Sequence, residues 1–197
     1  MKKILFLVCP MILLSGCAQK IDPNLSAFNG VTYTDYSNEY KYLNTYTING
    51  NTNKSMDDVN VCTLQNIRDR DVVLSDSADS FVGKTGNYYN LNSSMKSNKN
   101  GRQYIGDNVI VIDGLTHYQN PQSFIPITNY VRYTLSIRKN DNNISYLFNN
   151  ITQAQAETGS IPNNGFNPVG NWEGANPSVI LKALTAEAQK VTNCLAN

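Results

Sequence analysis

The side chains that could carry chemistry in this 197-residue chain are few: one histidine, four cysteines and a scatter of aspartates. A zinc site built on two or three histidines is impossible with His117 alone, and so is the HExxH helix of metalloproteases. His117, in Gly114-Leu115-Thr116-His117, is also the only imidazole that could activate a serine or cysteine, and no GxSxG elbow is present. It reads as an exposed loop residue. Asp69, Asp71, Asp76, Asp79, Asp107 and Asp113 could supply the paired carboxylates of glycoside hydrolysis, but separation in space decides that chemistry and spacing in sequence does not. The expectation for them is solvated loops. Asp69-Arg70-Asp71 and Lys139-Asn140-Asp141-Asn142-Asn143 offer oxygens to calcium without the ligand order or terminal glutamate of an EF-hand loop. Gly83-Lys84-Thr85-Gly86 lacks the first glycine and the spacing of a P-loop. No catalytic residue, metal or cofactor is expected.

The cysteines are more informative, and the first two lie in a distinctive context. Residues 1–17 read MKKILFLVCPMILLSGC: two lysines, an apolar run from Ile4 to Leu14, then Ser15 and Gly16 before Cys17. That order is a secretory signal peptide over residues 1–16. The apolar run, broken by Pro10, is far short of the ~20 residues that a membrane-spanning helix needs. Leu14-Ser15-Gly16-Cys17 resembles the lipobox of bacterial lipoproteins, a resemblance confined to the leader and the first mature residues. It implies that the Cys17 thiol receives diacylglycerol, that cleavage precedes Cys17 and that the new amine is acylated, commonly with palmitate. Two or three acyl chains give essentially permanent anchoring where one holds only marginally. By the same resemblance Ala18, standing where an aspartate would favour the inner membrane, points to the cell outer membrane.

With Cys9 removed in the leader and Cys17 taken by lipid, Cys62 and Cys194 remain in an oxidising compartment where thiols pair. One intramolecular disulfide is expected. A redox-active pair is not, because CxxC spacing is absent.

The elements that must position these residues follow from periodicity. Residues 17–37 are polar, contain Pro23 and show no period, so a lipid-anchored flexible tether is expected ahead of a single globular domain over 38–197. Tyr40, Tyr42, Asn44, Tyr46 and Ile48 alternate with other residues at strand spacing, and Asn49-Gly50 predicts a hairpin turn. Val59 to Leu64 is a strand candidate with Val59, Val61 and Thr63 on one face and Cys62 on the other. Ser93 to Arg102 reads as an exposed loop, Asn108 to Asp113 as a central strand. Val131, Tyr133, Leu135 and Ile137 alternate with Arg132, Thr134, Ser136 and Arg138, and residues 130–149 predict an antiparallel hairpin turning at Lys139 to Asn143. Gly159 to Pro177 is too rich in glycine and proline for a regular element. Asn176 and Pro177 suit a helix start. Ile180, Leu181, Leu184, Ala188, Val191 and Leu195 then form one stripe, with Cys194 at its edge. The expected class is α+β, mainly antiparallel β-sheet packed by one C-terminal α-helix. The disulfide would pin that helix to an early strand.

Sixteen basic residues against 15 acidic ones give a formal charge of +1, and loss of Lys2 and Lys3 with the leader turns it to −1. Such a chain has no basic face for nucleic acid. Its 12 tyrosines either form a flat docking face or line a half-buried sheet. The anchor, the bridge and the thin chemistry point to a non-catalytic lipoprotein of the outer membrane. Its periplasmic domain is expected to bind or position an envelope protein, in a secretion, pilus or outer-membrane assembly machine. The alternative expectation is a surface-exposed adhesin or glycan-binding lipoprotein.

Overall fold

The structure, a computed structural model, describes residues 20–35, 37, 40–120 and 125–196. Cys17 and Ala18 lie outside the described residues. Eleven strands and two α-helices follow one another: β1 (Val31–Asp35), β2 (Lys41–Asn51), α1 (Met56–Asn66), β3 (Val72–Asp76), β4 (Phe81–Val82), β5 (Tyr88–Tyr89), β6 (Ser93–Ser97), β7 (Gln103–Ile105), β8 (Val109–Gln119), β9 (Thr128–Asn140), β10 (Asn143–Gln155), β11 (Asn167–Pro168) and α2 (Pro177–Ala196). The main sheet is antiparallel in the order β1-β2-β10-β9-β8-β7, with β11 paired to β10. The fold is therefore α+β, an antiparallel sheet packed by the C-terminal helix.

Alternation in β8, β9 and β10 sends Ile110, Ile112, Val131, Tyr133, Leu135, Ile137, Ile144, Tyr146 and Phe148 to one face. On that face the stripe of α2, from Ile180 to Leu195, is buried together with Val59 and Cys62 of α1. Thr185 and Thr192 of α2 meet the hydroxyls of Tyr46 and Tyr146 at 3.0 Å each, so the helix runs along the sheet. Burying side chains of this size contributes roughly 1.5–3 kcal/mol each. The disulfide between Cys62 and Cys194 closes the helical layer, with Cα atoms 5.7 Å apart across 132 residues of sequence.

Several expectations are corrected. The bridge joins helix to helix, because residues 56–66 are helical. Ser55 and Asp58 form a reciprocal capping box there, and helical spacing, not alternation, brings Val59, Cys62 and Thr63 to one buried face. Asn49-Gly50 is not a turn: Gly50 pairs with Ile144 inside the β2–β10 ladder, and β2 continues to Asn51. Ser93 to Ser97 is a strand, zipped to β3 from Val72↔Ser97 to Asp76↔Ser93. The tether expected over 17–37 is largely folded. Residues 31–35 pair with β2, Leu25 is buried, and the Asp22 carboxylate accepts the Ser178 N–H at the start of α2 at 3.3 Å. A polar segment with no period of its own is held here by an edge pairing and a cap contributed by distant partners.

β3 to β6 form a second, smaller layer over the other face of the main sheet. Val72, Leu74 and Ala154 make its own small apolar cluster. β4 and β5 extend it as a hairpin with Phe81 stacked on Tyr89 at 5.0 Å. Because β3 runs beside the segment leaving β10, with Ser75 bridged to Glu157 and Ser77 N–H bonded to Gly159 O at 2.7 Å, the chain enters this hairpin at one end of the sheet. That end, here the proximal end, also carries Lys20, Lys41, Gln119, Thr128 and Gln155. The distal end carries Asn51, Val109, Asn140 and Asn143.

Candidate binding surface

The second layer covers the proximal and central parts of the outer sheet face and leaves its distal part open. Strand register builds a row there across four strands: Asn49 opposite Ser145, Ser145 opposite Arg138, and Arg138 opposite Val109. One step further out, Asn51 and Asn140 both pair with Asn143. Side chains directly opposite on adjacent strands share a face, so amides, a hydroxyl and one guanidinium converge. They line a shallow concavity of about 510 Å³. The two-residue turn Asp141-Asn142 that closes it has Asp141 at φ 51°, a conformation aspartate tolerates. Among the described residues Arg138 has no carboxylate partner. An exposed planar donor fork beside four primary amides can bind a carboxylate, a peptide backbone or sugar hydroxyls.

The other polar groups of the outer face hold the scaffold together. Arg132 is buried, its Nη1 and Nη2 donate to Ser97 Oγ at 2.7 Å, Ser97 O at 2.9 Å and Arg70 O at 3.1 Å, and its charge sits 4.5 Å over the Phe166 ring. Its Nε lies 3.4 Å from Asp69 Oδ1 without hydrogen-bond geometry. Asp113, buried on β8, accepts from Arg102 Nε at 2.9 Å and from Thr134 Oγ1 at 2.7 Å. On the helical face Tyr133 donates to Glu187 at 3.3 Å and Lys190 reaches the same carboxylate at 2.7 Å.

These contacts account for four of the six aspartates singled out in the sequence. Asp69 and Asp113 hold arginines, while Asp71 is bonded to the Lys99 N–H and pairs with Lys96 at 2.9 Å, which together hold its carboxyl below the ordinary range. Asp76 accepts from Ala78 N–H and Asn163 N–H. His117 is exposed on β8 opposite Tyr130, with no bond to a nucleophile or carboxylate among the described residues. No group of three or more His, Cys, Asp or Glu among the described residues is arranged to hold a metal ion. Nor is any described helix long and apolar enough to cross a membrane.

Tyrosine divides differently from either simple expectation. Tyr46, Tyr118, Tyr133 and Tyr146 are core residues. A register shift in the β1–β2 pairing between Thr32 and Tyr33 breaks the alternation, and Tyr40 and Tyr42 pack against Trp172 at 5.8 and 6.0 Å. Sequence reasoning did not select the distal surface. Its available signal was the water-facing set ending in Arg138, but Asn49 and Asn51 could join that set only once the supposed turn proved to be strand. Comparison with protein-family models, curated proteins and solved structures finds no match for this chain.

Proposed function

We propose that this chain is a lipoprotein anchored through Cys17, sorted to the outer membrane in keeping with Ala18, whose periplasmic domain is a non-catalytic binding or assembly component for another envelope protein. The observation that carries the reading is the open distal concavity. It presents Arg138, Asn49, Asn51, Asn140 and Asn143 on a sheet fixed from behind by two bridged helices, so the donors are preorganised and lose little freedom on binding. It lies at the end of the sheet opposite the one at which the chain would leave toward its anchor. Affinity capture from detergent-solubilised envelopes tests the proposal, with the wild type beside Arg138→Ala. A protein retained by the wild type and lost from the variant is the expected outcome. Equal retention by both, or nothing above background, removes this surface from the proposal.

A second reading, a surface-displayed glycan binder, is favoured by the amide-rich lining, because primary amides suit paired sugar hydroxyls. Protease shaving of intact cells separates the two. Cleavage without permeabilisation would place the domain outside, and protection until permeabilisation supports the periplasmic reading.

A further inference from the structure

The folded part of the chain starts close to the proposed lipid site. Lys20 O accepts the Glu173 N–H at 2.8 Å, Ile21 bridges Trp172, and Asp22 N–H donates to Asn171 O at 3.0 Å. Lys20 is three residue steps from Cys17, a reach of at most roughly 11 Å at full extension. An acylated Cys17 sits at the membrane surface, so the proximal end of the domain is brought within that reach of the headgroups.

The chemistry of the proximal end suits such a neighbour. Ile21 is half-exposed there, Ile125 is 74% exposed, Ile161 is 68% exposed, and the hairpin entered at that end adds Phe81, Val82 at 66% and Tyr88 at 63%. Exposed apolar groups gathered at one end mark an interaction surface. Residues 77–91 of the hairpin carry one acidic and one basic residue, Asp79 and Lys84, so little charge must be desolvated. Tyrosine and phenylalanine are at home at the headgroup level, with the ring in the apolar layer and the hydroxyl in water. The distal end presents Arg138 and the asparagines, with Tyr104 and Ile105 the exposed apolar residues on the neighbouring edge strand β7.

We infer that the domain docks on the phospholipid surface by its proximal end, with Ile125, Ile161 and the tip of the β4–β5 hairpin in the headgroup layer and the distal concavity directed away from the membrane. The inference rests on the lipid-anchor reading. Docking would supplement the acyl chains and fix orientation, so that a partner meets the Arg138 surface.

The test uses the mature lipoprotein, disulfide intact, in vesicles of phosphatidylethanolamine and phosphatidylglycerol containing a nitroxide-labelled phospholipid. An environment-sensitive dye is placed at Ile161→Cys, at Tyr88→Cys or at Asn140→Cys, all exposed positions. Blue-shifted, quenched emission at 161 and 88 with unshifted, bright emission at 140 is the expected result. Trp172, the single tryptophan of the chain, reports beside Ile21 without any substitution. Metabolic labelling of Cys17 with an alkynyl fatty acid, against Cys17→Ser, checks the anchor separately. If Cys17 takes no lipid, both the anchor and the docking fall. If it is acylated and the dyes at 161 and 88 behave as at 140, docking alone is overturned.

Discussion

Gly114 and Tyr133 face each other across the β8–β9 ladder, and the Tyr133 ring occupies the space that a side chain on residue 114 would need. From that position the Tyr133 hydroxyl reaches Glu187 on α2. The absence of a Cβ on one strand thus lets a tyrosine on the next connect sheet to helix. Gly114→Ala must push the ring off Gly114 and strain the bond to Glu187, an overpacking cost of about 1–3 kcal/mol. Urea denaturation of the variant measures it. A loss below a few tenths of a kcal/mol would mean that the ring relocates freely.

The same tyrosine sets the alkaline limit of the fold. Burial, reinforced by the Glu187 charge, raises the Tyr133 hydroxyl well above its ordinary 10.0. Burial alone raises Tyr146, and it pushes Tyr118 up to about 12 against a bond involving Asn176. Groups whose pKa is raised by folding lend stability that is whole below the unfolded value and is lost as pH climbs through the folded one. Stability should be flat to about pH 10 and fall between there and about 12. In a spectrophotometric titration these buried tyrosines should ionise together with unfolding.

Arg132 ties the base of the small layer to the main sheet. Arg132→Met keeps much of the volume but leaves Asp69, whose side chain is 3% exposed, without its charge partner. Breaking a buried pair from one side costs about 3–5 kcal/mol. Asp69→Asn in the same chain should recover part of the loss, since the two changes remove one interaction. Hydrogen exchange should speed up first at Val72–Asp76 and Ser93–Ser97, with α2 still protected.

Reduction of the Cys62–Cys194 bridge releases a loop of 132 residues, worth ~5 kcal/mol on the chain-entropy model and more commonly ~2–4 in practice. The Cys62→Ala, Cys194→Ala double variant should therefore unfold at distinctly lower urea than the oxidised wild type and match the reduced wild type. Equal midpoints for oxidised and reduced protein would deny the bridge a stabilising role.

What could be read in the sequence depended on where each element finds its partners. The α2 stripe from Ile180 to Leu195 and the alternation in β9 were legible because one broad core selects residues at a regular period. The cysteine pair was legible by elimination. Helix α1 was hidden because Val59, Val61 and Thr63 mimic a strand, although Ser55 and Asp58 offered a capping box. Asn49-Gly50 carried a genuine turn signal that pairing with β10 overrode, and with it went the register that builds the distal surface. Residues 20–35 have no internal period at all: residues 31–35 are ordered by pairing with the neighbouring β2, and Lys20 to Asp22 by Trp172, Asn171 and the start of α2, more than a hundred residues away.

The cap on α2 is where that long-range order can be tested. Burial opposes the Asp22 charge, but bonds from the Ser178 hydroxyl and from the Asn24 and Ser178 N–H groups outweigh it and hold the carboxyl below its ordinary 3.8. A carboxylate lowered by folding lends stability that is present above the unfolded pKa and lost as pH falls through the folded one. Asp22→Ala should cost about 1 kcal/mol or somewhat more at neutral pH, the usual worth of an N-terminal cap, and release residues 20–28 from Asn171 and α2. The gap between wild type and variant should narrow as pH drops below about 4, because the protonated wild type loses the same interaction. Urea midpoints from pH 7 to pH 3 read the gap, and hydrogen exchange at the start of α2 reads the release. A pH-independent gap would assign the loss to packing around Leu25 and not to the charge at the helix start.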